Sequence, residues 1–421
     1  MIEDYGPNKG SCSGVCGCPF RLLSSPDGLR WTLRKTTGCS EDRASAFFNP
    51  FRKRWVFSIK AGGSDISAET HTVQPFNRHR HYYETPTADI FGDAVEFSGN
   101  PGGPASGKTY AWANADRLDR GWLGVKKGWE DQWPYGALYT IDGVAYESLM
   151  IFQFTNFRCK DHYAGCRNTS NGVHPEYDSI DLAFSRDGFS YSRVPAGEPS
   201  NGVGVQLDAA HRVPFVPMSP QQSAEDWNYG SVQSIGGSFI IPGGFGADDT
   251  MLIYVGGGAG HSFQDLNATS AVGAAELRRD GFASVDQLDL TVPGTLTTRP
   301  VSFGQGQEHL FVNADGSVGV EVMRAGDVIA RTSRAAGPNG SRQHTAKPTS
   351  APGHTRLRLP LVDLHERPMT LAQLTNQTLQ VRFSLADGGA LFAFWVSKGK
   401  GGESGGYIAA GGPAFHGARD V

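Results

Sequence analysis

The chain has 421 residues, a net charge of −4 and 39% hydrophobic content. That is enough apolar material for packed cores but too much chain for a single one, so two domains are expected. Near-balanced charge without an extended Lys/Arg cluster argues against nucleic acid or an anionic membrane as partner, and no apolar run approaches the roughly 20 residues that span a bilayer.

Fifty-five Gly and 24 Pro are spread along the whole sequence, the composition of a chain with many short turns. Near the start stand Cys12, Cys16, Cys18 and Cys39, and Cys159 and Cys166 bracket a polar loop. An even set of six suits a secreted protein with two disulfides among the first four and one joining Cys159 to Cys166. The rival is a zinc site, but Cys-x3-Cys-x-Cys lacks the paired spacing of zinc ribbons, so neither a metal nor a cofactor is expected. Met1-Ile2-Glu3-Asp4 is not a signal peptide, which leaves a removed leader or an intracellular protein as alternatives. Sequons at Asn168, Asn267, Asn339 and Asn376 are compatible with secretion and glycosylation.

Three Asp-Gly turns punctuate the chain, at Asp27-Gly28, Asp187-Gly188 and Asp280-Gly281, each beside an aromatic residue. Their spacing divides into units of about 45 to 55 residues, the period of a β-propeller blade. Strand-like runs recur between them. Ala44 to Phe48 and Arg54 to Ile59 read as a hairpin, followed by Gly143 to Phe154, Ile180 to Phe184 and Met251 to Val255. The stretch from Asp89 to Asp131 is polar and weakly patterned. After Ser284 short strands appear at sandwich spacing, at Leu296–Phe303, His309–Asn313, Ser317–Val322, Leu379–Leu385 and Ala390–Val396, with a long polar loop from Ser333 to His354. The expected fold is therefore all-β: a five-bladed β-propeller over residues 1–290 and a β-sandwich over 291–421.

Propeller followed by sandwich resembles glycoside hydrolase family 32, and the blade motifs are similar to those of family 43. Cys39-Ser40-Glu41-Asp42-Arg43, leading into Phe47 and Trp55-Val56-Phe57, has the form of the strand that carries an Asp in the first blade. Tyr146-Glu147-Ser148-Leu149 is a loose counterpart of the segment with the general-acid Glu. The chain lacks the Trp-x-Asn-Asp-Pro-Asn-Gly start, the Arg-Asp-Pro segment and a Pro after that Glu. The resemblance implies a glycoside hydrolase acting on a glycan, with Asp42 as base or nucleophile, Glu147 as acid and Asp142 as a third carboxylate. Two carboxyl groups about 5 to 10 Å apart would meet the chemistry of hydrolysis.

Each of these residues also has a plainer reading. Asp42 and Arg43 can form an ion pair, Asp142-Gly143 can be a turn, and only Glu147, read within an apolar strand, is costly to bury without a task. Arg78-His79-Arg80-His81-Tyr82-Tyr83-Glu84 is the densest polar and aromatic cluster, either a solvated rim or, with Arg43, a sugar-binding surface. Trp133 and Trp227 are further candidate sugar platforms, although packing is the commoner use of Trp. Arg80, His81 and Tyr82 together keep a polysaccharide lyase acting on a uronide as an alternative. A non-catalytic carbohydrate-binding propeller and a protein-interaction platform are the others, but the unique contexts of Asp42, Arg80 and Glu147 favour one central site over repeated ones.

Overall fold

Runs of aromatic and β-branched residues broken by glycine-bearing turns build antiparallel meanders throughout, and the only helical element among the described residues is one turn of 3-10 helix. The computed structural model describes residues 2–3, 19–40, 43–61, 79–93, 95, 97, 109–116, 118–119, 137–159, 176–193, 212, 214–218, 227–228, 231–241, 249–259, 269–332, 335–336, 342–343 and 354–404. The chain divides into two compact units, the first of residues 1–238, 253–275 and 408–417 and the second of 239–252, 276–407 and 418–421.

The first sheet has three strands in sequence order, β1 (Ile2–Glu3), β2 (Pro19–Ser24) and β3 (Thr32–Cys39). The second is a four-stranded antiparallel meander of β4 (Ser45–Asn49), β5 (Arg54–Ala61), β6 (His79–Glu84) and β7 (Tyr110–Ala113). A further antiparallel meander follows in β8 (Ala137–Tyr146), β9 (Leu149–Cys159), β10 (Glu176–Ser185) and β11 (Ser192–Arg193). A parallel bridge between Asp178 and Ser231 joins it to β12 (Ser231–Ile241), β13 (Thr250–Ala259) and β14 (Thr269–Arg278). These meanders have the strand count and order of propeller blades, but the sheets are not closed on one another, so the described strands do not make the expected five-bladed ring.

Alternation along the strands decides what faces what. One face of the β4–β7 meander presents Phe47, Tyr82 and Trp112, which meet Phe152, Phe189 and Tyr191 of the β8–β11 meander. Trp112 stands edge-on to Phe152 at 5.5 Å, and Tyr82 edge-on to Phe189 at 4.9 Å. Gly143 is required in this layer, since a Cβ there would lie 2.9 Å from both the Phe47 and Phe152 rings. The opposite face buries Phe57, Ile59 and Tyr83 with Phe20, Leu22, Val95 and Phe97.

The Asp-Gly repeat is legible in the turns themselves. Asp27 Oδ1 accepts the backbone N–H groups of Leu29 and Arg30 at 2.9 and 2.8 Å, and Asp187 Oδ1 accepts those of Phe189 and Ser190 at 2.8 Å each. Ser25 and Ser185 receive the N–H of Gly28 and Gly188, both with positive φ. The third turn differs: the left-handed residue is Asp280 itself, and Gly281 N–H reaches the Arg278 carbonyl at 3.0 Å.

In the second unit the strands are β15 (Val285–Asp286), β16 (Gly294–Thr297), β17 (His309–Arg324), β18 (Asp327–Thr332), β19 (Ala335–Ala336), β20 (Arg342–Gln343), β21 (His354–Leu359), β22 (Leu361–Val362), β23 (Pro368–Met369) and β24 (Gln380–Ser397). The segments expected as separate strands are halves of two long ones, β17 and β24, paired along their length. Both bend together, where the register shifts at Asp315/Ser317 and where Gly316, Asp387 and Gly388 have positive φ. Beyond the bend the partners change, β16 and β18 flanking one half and β15 and β21 the other. Leu310, Val312, Val318, Val320, Val381, Phe383 and Leu391 from both halves share one core. A Cβ on Gly316 would lie 2.7 Å from the Gly389 backbone. Gly316→Val is accordingly expected to cost about 1–3 kcal/mol in a urea denaturation series, from backbone strain and the clash combined.

Candidate functional site

Three meanders send polar side chains to one carboxylate. Asp142 stands on β8 in register with Gln153 of β9. The hydroxyl of Ser234, on β12, donates to its Oδ2, and the Ser45 hydroxyl, from β4, donates to the neighbouring Ile141 carbonyl. The residue keeps some exposure, yet its carboxyl group is enclosed by protein. Burial pushes its pKa upward, against the Ser234 hydrogen bond and the nearby guanidinium groups of Arg43 and Arg80, which favour the charged form.

Arg43 reaches this point from the turn that opens β4, where it adopts φ +56°, and its guanidinium lies 5.3 Å from the Tyr139 ring centroid. Arg80 is completely buried on β6. Beside Asp142, the amide oxygen of Gln153 is enclosed and has no hydrogen-bond partner among the described residues. A buried acceptor left open in this way is matched by a ligand hydroxyl or an ordered water.

The expected residues separate as follows. Glu147, expected inside an apolar strand, occupies the two-residue turn between β8 and β9 with φ +51°, because β8 ends at Tyr146, which pairs with Leu149. At about 3.3 Å per strand residue its backbone lies on the order of 15 Å along β8 from that of Asp142, and Asp42, the residue expected to pair with it, lies outside the described residues. Arg80 and His81, expected to hold one sugar together, are on opposite faces of β6: the charge of Arg80 acts on Asp142, whereas His81 sits beside His79. Tyr82 is buried in the aromatic layer and its hydroxyl donates to Glu84 at 2.8 Å, with burial holding its pKa well above the usual phenol value. Asp42, Arg78 and Trp133 lie outside the described residues, as do the side chains of all six cysteines. Ser45, Ser234 and Gln153 carry no sequence signal, since a polar residue within a strand run looks solvent-facing until the neighbouring sheet is known.

Trp227 packs on glycines. A Cβ on Gly257 of β13 would lie 2.1 Å from its indole, and one on Gly273 of β14 2.5 Å. Gly257 and Gly273 thus make room for the ring. Gly257→Ala is expected to displace the indole, costing about 1–3 kcal/mol by thermal denaturation and changing intrinsic fluorescence.

A second polar cluster is built on salt bridges. Arg193 bonds Asp119 and, at 2.9 Å, Asp181; Arg212 bonds Asp116 at 2.6 and 2.8 Å and Asp119 at 3.1 Å; and Asn156 donates to both Asp119 and Asp181. Burial raises the Asp116 pKa, but the Arg212 bonds outweigh it and hold the carboxyl below its ordinary value. Among the described residues no group of three or more His, Cys, Asp or Glu is arranged to hold a metal ion.

No protein-family model and no curated protein matches the sequence. Among solved structures, the chain is similar to the Bombyx mori GH32 beta-fructofuranosidase BmSUC1, at 11% identity over 89% of this chain and 83% of that one, with a TM-score of 0.25. A mutant of the same enzyme in complex with sucrose matches at 10% identity, with the same coverage and TM-score. Superposition this loose leaves the functional reading to the side chains.

Proposed function

We propose that this protein is a carbohydrate-active enzyme, a glycoside hydrolase with Asp142 at the centre of its active site. The observation that carries the reading is the convergence on one enclosed carboxylate of a Ser234 hydroxyl, two guanidinium groups and the open acceptor of Gln153. A carboxyl group with an upward-shifted pKa in such surroundings is suited to donate a proton to a leaving oxygen. Hydrolysis needs a second carboxylate on the other side of the scissile bond, and Asp42, the residue before Arg43, is the proposed partner. Arg43 and Arg80 offer charge-assisted hydrogen bonds to sugar oxygens, and Gln153 accepts from a hydroxyl.

The test is release of reducing ends from a panel of neutral and uronic-acid-containing oligosaccharides. Wild-type protein is expected to cleave at least one, Asp42→Asn to lose that activity, and Glu147→Gln to retain it. Binding of a glycan without product from the wild-type chain would replace hydrolysis with a non-catalytic carbohydrate-binding role, and formation of an unsaturated uronide would replace it with a lyase.

A further inference from the structure

A pair of buried hydroxyls, on Thr155 and Ser234, stands behind one oxygen of Asp142. Thr155 lies two residues beyond Gln153 on β9, and Gln153 is in register with Asp142, so strand alternation gives Thr155 and Asp142 the same face of the β8–β9 hairpin. Thr155 is completely buried and Ser234 nearly so. The Ser234 backbone N–H donates to Thr155 Oγ1 at 3.1 Å, and the two hydroxyl oxygens are 3.2 Å apart. Ser234 Oγ in turn reaches Asp142 Oδ2.

Each hydroxyl has a single proton, and the available acceptors fix where it points. With Ser234 donating to Oδ2, Thr155 donates to Ser234 Oγ while accepting the backbone N–H, and every donor in the chain is used. The reverse order puts the carboxyl proton on Oδ2 and turns the Ser234 proton toward Thr155. The Thr155 proton then has no acceptor among the described residues, an unfavourable state for a buried hydroxyl. The other carboxyl oxygen, Oδ1, lies toward Gly236 of β12, where a Cβ would stand 3.7 Å away and φ is +76°. The charged groups acting on Asp142 are Arg43, from the turn that opens β4, and Arg80 of β6, and Ser45 and Ser234 are its uncharged polar neighbours. We infer that Thr155 is a positioning residue: it fixes the Ser234 hydroxyl as a donor to Asp142 Oδ2 and thereby places the transferable proton on Oδ1. On transfer the proton passes from Oδ1 to the leaving glycosidic oxygen, and the electron pair of the broken O–H bond stays on the carboxylate. The inference deepens, and rests on, the reading of Asp142 as the acid of a hydrolase.

The test compares the full-length wild type with Thr155→Val, nearly isosteric but without the hydroxyl, and with Thr155→Ser, which restores it. One readout needs no activity: the carboxyl ¹³C titration of Asp142, its signal assigned by its loss in Asp142→Asn. Loosening the donor to Oδ2 destabilises the carboxylate, so the midpoint is expected to rise in Thr155→Val and to return in Thr155→Ser. The second readout is the pH profile of kcat for glycan hydrolysis. On its alkaline limb Thr155→Val should keep about two- to tenfold more of its own maximal rate than wild type does, with the acidic limb unmoved. An unchanged midpoint in Thr155→Val, or one that Thr155→Ser fails to restore, overturns the positioning role even if the enzyme cleaves glycans. A raised midpoint in a protein that cleaves none, or whose alkaline limb stays in place, upholds the hydroxyl chain and removes Asp142 as the acid. Should Thr155→Val misfold, Ser234→Ala decides by the same titration, since it cuts the only link from Thr155 to Asp142: a midpoint above wild type supports the chain, and an equal one refutes it.

Discussion

Asp142→Asn is expected to lower glycan hydrolysis by about two to four orders of magnitude, the usual contribution of a positioned general acid or base. The same change should leave the fold as stable as wild type or more so at neutral pH. Asn keeps the shape and one acceptor for the Ser234 hydroxyl but cannot give up or take a proton. It also removes a carboxylate whose desolvation is the largest influence on its pKa. The sign follows from linkage. Asp142 has a folded-state pKa above its ordinary value of 3.8, so its contribution to stability is fully present below that value and is lost as pH rises through the folded pKa. Subtracting the Asp142→Asn stability curve from the wild-type curve should therefore leave a difference that turns against wild type as pH rises from about 4. Asp27, Asp116 and Asp187, all shifted downward, slope the opposite way and cancel in the subtraction. A variant with full activity would remove Asp142 from the chemistry, and a flat difference curve would refute its upward shift.

The features readable in the sequence are those whose cause is local. The Asp-Gly turns were legible because one carboxylate satisfies two backbone donors within three residues, and Asp27 and Asp187 do so. Strand positions were legible from aromatic and β-branched runs, although the joining of His309–Asn313 to Ser317–Val322 as one bent strand was not, because Asp315-Gly316 reads as a hairpin turn and acts as a corner. The site was only partly legible. Asp142 stood out as an acid at a strand entrance, but its partners come from β4, β6 and β12, and nothing local to Ser45, Arg80 or Ser234 indicates which sheet will face them. Glu147 reads as a strand residue for the converse reason. A two-residue turn inside a long apolar run carries no Gly, Asn or Pro to mark it, so the sequence reads as continuous strand.

Arg193→Ala is expected to cost about 3–5 kcal/mol, because it strands buried charge. The Arg193 side chain is 4% exposed and serves Asp119 and Asp181, which are 0% and 2% exposed. Its guanidinium also lies 4.8 Å from the Phe154 ring centroid. After truncation Asp181 keeps Asn156 and Asp119 keeps Arg212 and Asn156, but each of these buried carboxylates has lost a guanidinium. Arg52 provides the control. It bonds a single carboxylate, Glu84, through two nitrogens at 2.7 and 2.9 Å, but is 45% exposed, so Arg52→Ala is expected to cost less than about 1 kcal/mol. Urea unfolding at constant m-value measures both, and a shift in m would mark a change in the unfolded state instead. The replacement Arg193→Met should cost nearly as much as Ala, since it restores volume but not charge. If Met recovers most of the loss, packing against Phe154 and not the buried ion pairs is what Arg193 contributes.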